Sequence, residues 1–207
     1  MKKSEGLQAI EKPLASLPHV IGKHILDHIQ KLTHYEPVIG IMGKTGAGKS
    51  SLCNALFQGE VTPVSDVNAC TRDARRLRLS SGDHSLILVG LPGVGESEQR
   101  DKEYEYLYLK LLPELDLILW VIKADDRTFS VDERFYRRVM TGYQQRILFV
   151  VNQADKIEPS HEWYINGNGP SPHQLVNIEA RLNSICQLFS PYYPVCAVCL
   201  IVPPALW

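Results

Sequence analysis

Residues 43–50 read Gly-Lys-Thr-Gly-Ala-Gly-Lys-Ser, directly after the apolar run Val38 to Met42 and directly before a helical pattern over Ser50 to Phe57. Glycines at 43, 46 and 48 let a strand-to-helix turn point its backbone N–H groups inward, where a Cβ would collide or φ must be positive. The helix that follows aims its N-terminal dipole at the same point. Such a turn holds phosphate. Lys49 stands where an ammonium reaches the β- and γ-phosphates of a nucleotide, and Ser50 where a hydroxyl ligates Mg²⁺. A glycine-rich turn without a ligand would explain the glycines, but not Lys49 and Ser50 at their fixed offset.

The rest of the chain supplies the sheet that such a loop requires. Short apolar runs at Leu86 to Val89, Leu117 to Ile122, Ile147 to Val151 and Val195 to Val202 suit parallel strands covered on both faces. Helical patterns lie between them at Asp101 to Leu112, Ser130 to Tyr143 and Pro172 to Phe189, the last with Ser171 and Pro172 as N-cap and first-turn pair. Within Arg75 to Ser80 the residues Arg76, Leu77, Arg78 and Leu79 alternate, and the segment precedes Ser81-Gly82-Asp83, which predicts a half-exposed edge strand in a hairpin with Leu86 to Val89. The expected fold is α/β: a mostly parallel sheet with one antiparallel edge strand and helices on both faces. Ahead of it, residues 1–36 are expected to form a helical extension of two short amphipathic segments interrupted by Pro13 and Pro18. His24 and His28 fall four apart there and read as a solvated face, since no acidic or thiol ligand lies nearby.

Composition narrows the function classes. With 22 Lys plus Arg against 23 Asp plus Glu, the formal charge is −1, and no dense basic block signals direct nucleic-acid or membrane binding. An effector protein or a homodimer stays open as partner. No secretory leader or membrane span is legible, and the five scattered cysteines read as reduced thiols of a cytosolic protein. Cys196 and Cys199 form a C-x-x-C within a strand pattern, where an i, i+3 pair faces opposite ways and suits neither metal nor redox chemistry.

Residues 147–155, Ile-Leu-Phe-Val-Val-Asn-Gln-Ala-Asp, place Asn152 and Asp155 at the carboxyl end of a buried strand, where open α/β sheets hold ligands. A carboxylate accepts both N–H donors on the Watson–Crick edge of guanine, whereas adenine offers it no matching donor pair. Asn152 can support the loop and contact the other edge of the purine. A kinase or ATPase reading gives these two residues no role.

On these segments the sequence resembles the Era/TrmE-like branch of the translation-factor-class P-loop GTPases over about residues 37 to 200, and looks closest to the YfjP-like predicted GTPases associated with enterobacterial prophages. The resemblance implies GTP and GDP as ligands, Mg²⁺ as cofactor, and a nucleotide-binding set of Gly43, Lys44, Thr45, Gly46, Ala47, Gly48, Lys49, Ser50, Ser51, Asn152, Gln153 and Asp155. In it, Asn152-Gln153-Ala154-Asp155 resembles N-K-x-D with Gln153 in the Lys position. Cys70-Thr71-Arg72-Asp73 resembles the T-T-R-D switch I signature, which implies Ser50 and Thr71 as the Mg²⁺ ligands. Leu91-Pro92-Gly93 resembles the end of the D-x-P-G switch II motif, which implies that Gly93 N–H contacts the γ-phosphate and that Lys49, Thr71 and Gly93 form the catalytic set.

Three departures accompany the resemblance. The D-x-P-G aspartate is replaced by Gly90, whereas Val94 after Gly93, in place of the water-orienting Gln of many small GTPases, is a feature shared with the branch by resemblance. The P-loop Asn that holds potassium in some members of the branch is replaced by Gly46. Beyond Val198 an S-A-[KR] loop and a final helix are expected, but the sequence runs Cys199-Leu200-Ile201-Val202-Pro203-Pro204-Ala205-Leu206-Trp207. Residues 37–207 are therefore expected to form a G domain lacking its final helix, which hydrolyses GTP slowly or with a partner. A degenerate, truncated GTPase-like module without catalysis is the second reading, favoured by Gly90 and the missing helix.

Overall fold

The structure is a computed structural model. It describes residues 23, 35–56, 61–66, 74–81, 84–95, 97–164, 169–189 and 196–199, with backbone alone at 55–56, 61–66, 81 and 196–199. The chain divides into two compact units, Met1–Glu36 and Pro37–Trp207. Of the first, only Lys23, Tyr35 and Glu36 are described, so the two expected helices and His24 and His28 lie outside the described residues.

In the second unit, β1 (Val38–Gly43), β2 (Val61–Asp66), β3 (Arg75–Ser81), β4 (His84–Gly90), β5 (Leu117–Lys123), β6 (Ile147–Asn152) and β7 (Cys196–Cys199) form one sheet in the order β2-β3-β4-β1-β5-β6-β7. The pairs β4–β1, β1–β5, β5–β6 and β6–β7 are parallel, and β3 runs against both of its neighbours. One strand of seven is therefore reversed, as the sequence predicts, but it is not an edge strand. The edge on that side is β2, which sequence reading misses because Pro63 removes a ladder donor and the register shifts between Pro63 and Ser65. An edge strand tolerates both defects.

The strand alternation sorts the core onto two faces. Ile41, Leu88, Val121 and Val150 pack with Ala47 and Leu52 on the face of helix α1 (Lys49–Leu56). Their neighbours Met42, Val89, Trp120, Phe149 and Val151 belong to the larger cluster on the opposite face, which takes in helices α2 (Glu98–Leu111), α3 (Ser130–Val139) and α4 (Pro172–Phe189). Aromatic rings bind that face together: Phe149 stacks on Phe189 at 4.4 Å, and Tyr136 meets Phe189 edge-on at 5.1 Å. Ring pairs of this kind contribute about 0.5–1.5 kcal/mol each beyond their area. Among the described residues no helix is long and apolar enough to cross a membrane.

Helix boundaries follow local chemistry. Helix α2 starts three residues before the expected Asp101, because the Ser97 hydroxyl accepts from Arg100 N and Glu98 and Asp101 sit in the first turn. Helix α3 ends at Val139, short of the expected Tyr143, and Gly142 turns the chain with φ +88°. Helix α4 begins at a reciprocal cap: Ser171 Oγ accepts from Gln174 N and Gln174 Oε1 accepts from Ser171 N, both at 3.1 Å.

One buried charge stands out in the larger core. Asp132, 2% exposed at the start of α3, accepts a hydrogen bond from Trp120 Nε1 at 2.9 Å. Burial pushes its carboxyl above the usual carboxylate range, against the Trp120 bond and the nearby Lys44 charge. Between the unfolded and folded values the folded state holds a proton that the unfolded chain has released. This contribution to stability is therefore fully present below the ordinary carboxylate range and is lost as pH rises through the folded value. Asp132→Asn keeps an acceptor for Trp120 and removes the charge. Its melting temperature should exceed that of the parent at pH 8, with the difference shrinking toward pH 4; a variant that melts lower at pH 8 would show that the carboxylate charge is itself stabilising.

Candidate functional site

The carboxyl ends of β1, β5 and β6 lie side by side, with Met42 in register with Trp120 and Lys123 with Asn152. From the end of β1, residues 43–50 curl back into α1. Gly43, at φ +135°, packs so closely on β5 that a Cβ would lie 2.2 Å from the Val121 carbonyl oxygen. Gly48, at φ +86°, leaves no room either, since a Cβ would meet Asn152 Nδ2 at 2.4 Å. The loop shape thus depends on glycine for both conformation and space. Lys49 Nζ donates to the carbonyls of Gly43 at 3.0 Å and Lys44 at 2.9 Å, which holds the ammonium against the inside of the loop.

A second segment lies across this loop. Leu91 N donates to Ile41 O, Val94 N to Gly43 O and Thr45 N to Val94 O. Gly93 comes so near that a Cβ would lie 2.3 Å from Thr45 Oγ1 and 2.8 Å from Lys49 Nζ. The segment is fastened on its outer side, where Tyr108 OH donates to the Pro92 carbonyl and Gly95 N donates to Asp101 Oδ1 at 2.8 Å.

The third element is the turn after β6. Asn152 is completely buried and donates from Nδ2 to Ala47 O at 3.0 Å, tying this turn to the phosphate-type loop. Its Oδ1 is buried with no hydrogen-bond partner among the described residues. Gln153 adopts φ +59° and accepts from Lys156 Nζ at 2.7 Å. Asp155 follows in a 3-10 turn, Ala154–Lys156, half-buried.

Between these elements lies a cleft of about 630 Å³, large enough for a nucleotide. Thr45, Gly46, Gly48, Lys49, Ser50, Ser51, Gly93 and Gln153 line it. The side chain of Lys44 turns instead to Asp126, with Nζ 2.9 Å from Oδ2. Asp155 is close in sequence to the wall but is not part of it, and Thr71 lies outside the described residues. Sequence reading misses Arg75, Cys53, Asn54 and Leu77 as lining residues. Alternation in the Arg-Leu-Arg-Leu strand was the available signal, because it places Arg75 and Leu77 on one face. Burial pushes the Cys53 thiol up despite the Lys49 charge beside it, which disfavours the thiolate.

Against Mg²⁺, the donor set fits at one end only. The Ser50 hydroxyl lies on the cleft wall, but the strand position that should supply a carboxylate is Gly90, and no described lining residue is acidic. Among the described residues no three His, Cys, Asp or Glu side chains gather to hold a metal.

A parallel sheet whose first strand turns through such a loop into a helix defines a P-loop nucleotide-binding domain. Residues 38–153, just over half of the chain, match the model of the 50S ribosome-binding GTPase family. Protein YfjP of Escherichia coli (strain K12) is 56% identical over 199 residues, covering 96% of this chain and 68% of its own. The tRNA modification GTPase MnmE of Campylobacter jejuni subsp. doylei is 32% identical over 118 residues, 56% of this chain and 26% of that protein. Among solved structures, Era bound to MgGDPNP and a segment of 16S ribosomal RNA superposes with a TM-score of 0.55 at 22% identity, over 80% of this chain and 52% of that one. The chain belongs to the 50S ribosome-binding GTPase family and is a GTP-binding protein of the Era/TrmE-like class.

Proposed function

We propose that the protein is a cytosolic guanine-nucleotide switch in which Lys49 and the backbone of residues 43–50 hold the phosphates and Asp155 selects the base. The observation that carries this reading is the link between the two ends of the site: Asn152, fully buried, reaches from the base turn to the Ala47 carbonyl and keeps a free acceptor, Oδ1, at the junction. A buried polar atom without a partner costs about 1–3 kcal/mol, so a ligand or water that donates to it is favoured. Guanine presents only acceptors, N7 and O6, on the edge away from Asp155. An ordered water is therefore the donor that suits Oδ1, and the Asn152 amide serves to fix the base turn against the loop of residues 43–50.

Ser50, together with Thr71, are the side chains that would touch Mg²⁺ when a nucleotide brings it. Without an acid at position 90 the ion would be held by phosphate oxygens more than by the chain. Hydrolysis is then slow, because neither Gly90 nor Val94 positions a metal or a water. An effector protein or a second copy of the chain remains the partner class proposed for the switch.

The test is titration of the purified protein with fluorescent GTP, GDP and ATP. Submicromolar to micromolar binding of both guanine nucleotides with ATP at least about a hundredfold weaker is expected, since a site left with an unpaired polar group rejects the wrong base by such factors. Equal affinity for ATP and GTP would defeat the reading. Gly90 specifically favours a second reading, a GTP-binding module without turnover. Single-turnover hydrolysis decides between the two.

A further inference from the structure

We infer that the Arg75 guanidinium takes over part of the phosphate charge that a carboxylate-held metal ion would balance, so that the triphosphate is bound with little dependence on Mg²⁺. The inference rests on the nucleotide reading of the cleft and adds a residue and a regulatory property to it.

Strands β3 and β4 pair with Arg75 directly opposite Gly90 and Leu77 opposite Leu88. Residues opposite one another in an antiparallel pair project from the same face of the sheet. All four line the one cleft that also holds Thr45, Lys49 and Ser50. Arg76, the next residue along, belongs to the other face, where its guanidinium is paired with Glu114. The strand alternation therefore delivers Arg75 to the face from which a side chain at position 90 would approach the phosphates.

Position 90 itself is open. Among the described residues a Cβ built there meets nothing nearer than the Arg75 carbonyl oxygen at 3.9 Å, so none of them fills the space of the missing carboxylate. The charge balance of the wall has changed with it. Its described lining contains two cations, Lys49 and Arg75, and no acid. Such a wall attracts polyphosphate and repels a divalent cation, the opposite of a site built to bind the two together. Guanidinium also matches phosphate oxygens with paired N–H donors, which a point cation does not.

Affinities of the full chain for fluorescent GTP and GDP, each measured with excess Mg²⁺ and with EDTA, test this. The parent should bind GTP with less than about a tenfold difference between the two conditions. Arg75→Ala and Arg75→Gln should each weaken GTP in EDTA by about tenfold or more, the scale of one or two hydrogen bonds to a charged group, and weaken GDP less. Arg76→Ala, on the opposite face, should leave both affinities unchanged. Gly90→Asp, which the open space admits, should weaken GTP in EDTA and restore a steep Mg²⁺ dependence. Arg75 variants that bind GTP in EDTA as well as the parent overturn the inference, even if they melt lower, because Arg75 would then serve only the β2–β3 edge. A parent that binds GTP solely with Mg²⁺ overturns it as well. Absence of any GTP or GDP binding by the parent in either condition refutes the nucleotide reading itself, and this inference with it.

Discussion

Asp155→Asn should exchange guanine for xanthine. In the proposed site the Asp155 carboxylate accepts both N–H donors on the Watson–Crick edge of guanine, and an amide replaces one of those acceptors by a donor. Affinity for GTP and GDP is expected to fall by roughly a hundredfold or more, because a polar group is left facing its like in a closed site. Xanthosine nucleotides, whose exocyclic oxygen replaces the amino group, should bind the variant better than GTP does. The structure places Asp155 half-buried in the turn that Asn152 fastens to the phosphate loop, so the substitution removes no core contact. Competition titrations with the guanine and xanthine nucleotides measure the exchange. A variant that keeps its preference for GTP would show that base selection resides elsewhere.

Lys49→Ala should weaken nucleotide binding by roughly two orders of magnitude or more while the protein stays folded. Its ammonium is held by the Gly43 and Lys44 carbonyls inside the loop, not by the apolar core under α1. Charge-assisted bonds to phosphate each contribute about 1.5–3 kcal/mol, so losing several lowers affinity by roughly two orders of magnitude or more. The stability cost is that of two carbonyls returned to solvent, about 1 kcal/mol. Ser50→Ala should keep the fold as well, with a smaller loss of affinity. Isothermal titration and thermal unfolding on the same samples separate the effects. If Lys49→Ala unfolded the protein in the absence of nucleotide, the residue would be structural and the phosphate assignment would lose its support.

How far the sequence could be read depended on how local each cause was. The phosphate-type loop was legible because its glycines, Lys49 and Ser50 are neighbours and their spacing is fixed by one turn. The parallel strands were legible because burial on both faces leaves unbroken apolar runs, and Pro172–Phe189 matched because its cap and its stripe are both local signals. What escaped was determined by partners distant in the chain. Strand β2 has no apolar run and carries Pro63, and it is a strand because β3 offers it a ladder. Arg75 belongs to the cleft only through its pairing with Gly90, fifteen residues on. The Trp120–Asp132 bond joins a strand to a helix across the core, and nothing in either local pattern announces it.

The segment Leu91 to Gly95 has a bond to α2 near each end, from Tyr108 to Pro92 and from Gly95 to Asp101. Whatever lifts or settles Gly93 against Thr45 and Lys49 must therefore stretch those bonds or carry the helix with it. The outward side of the same helix shows Tyr106 and Leu109 to solvent. Segment and helix are thus joined as a short lever with its inner arm on the phosphate loop and its outer arm on the protein surface, so a ligand that displaced Gly93 would also turn the face that carries Tyr106 and Leu109.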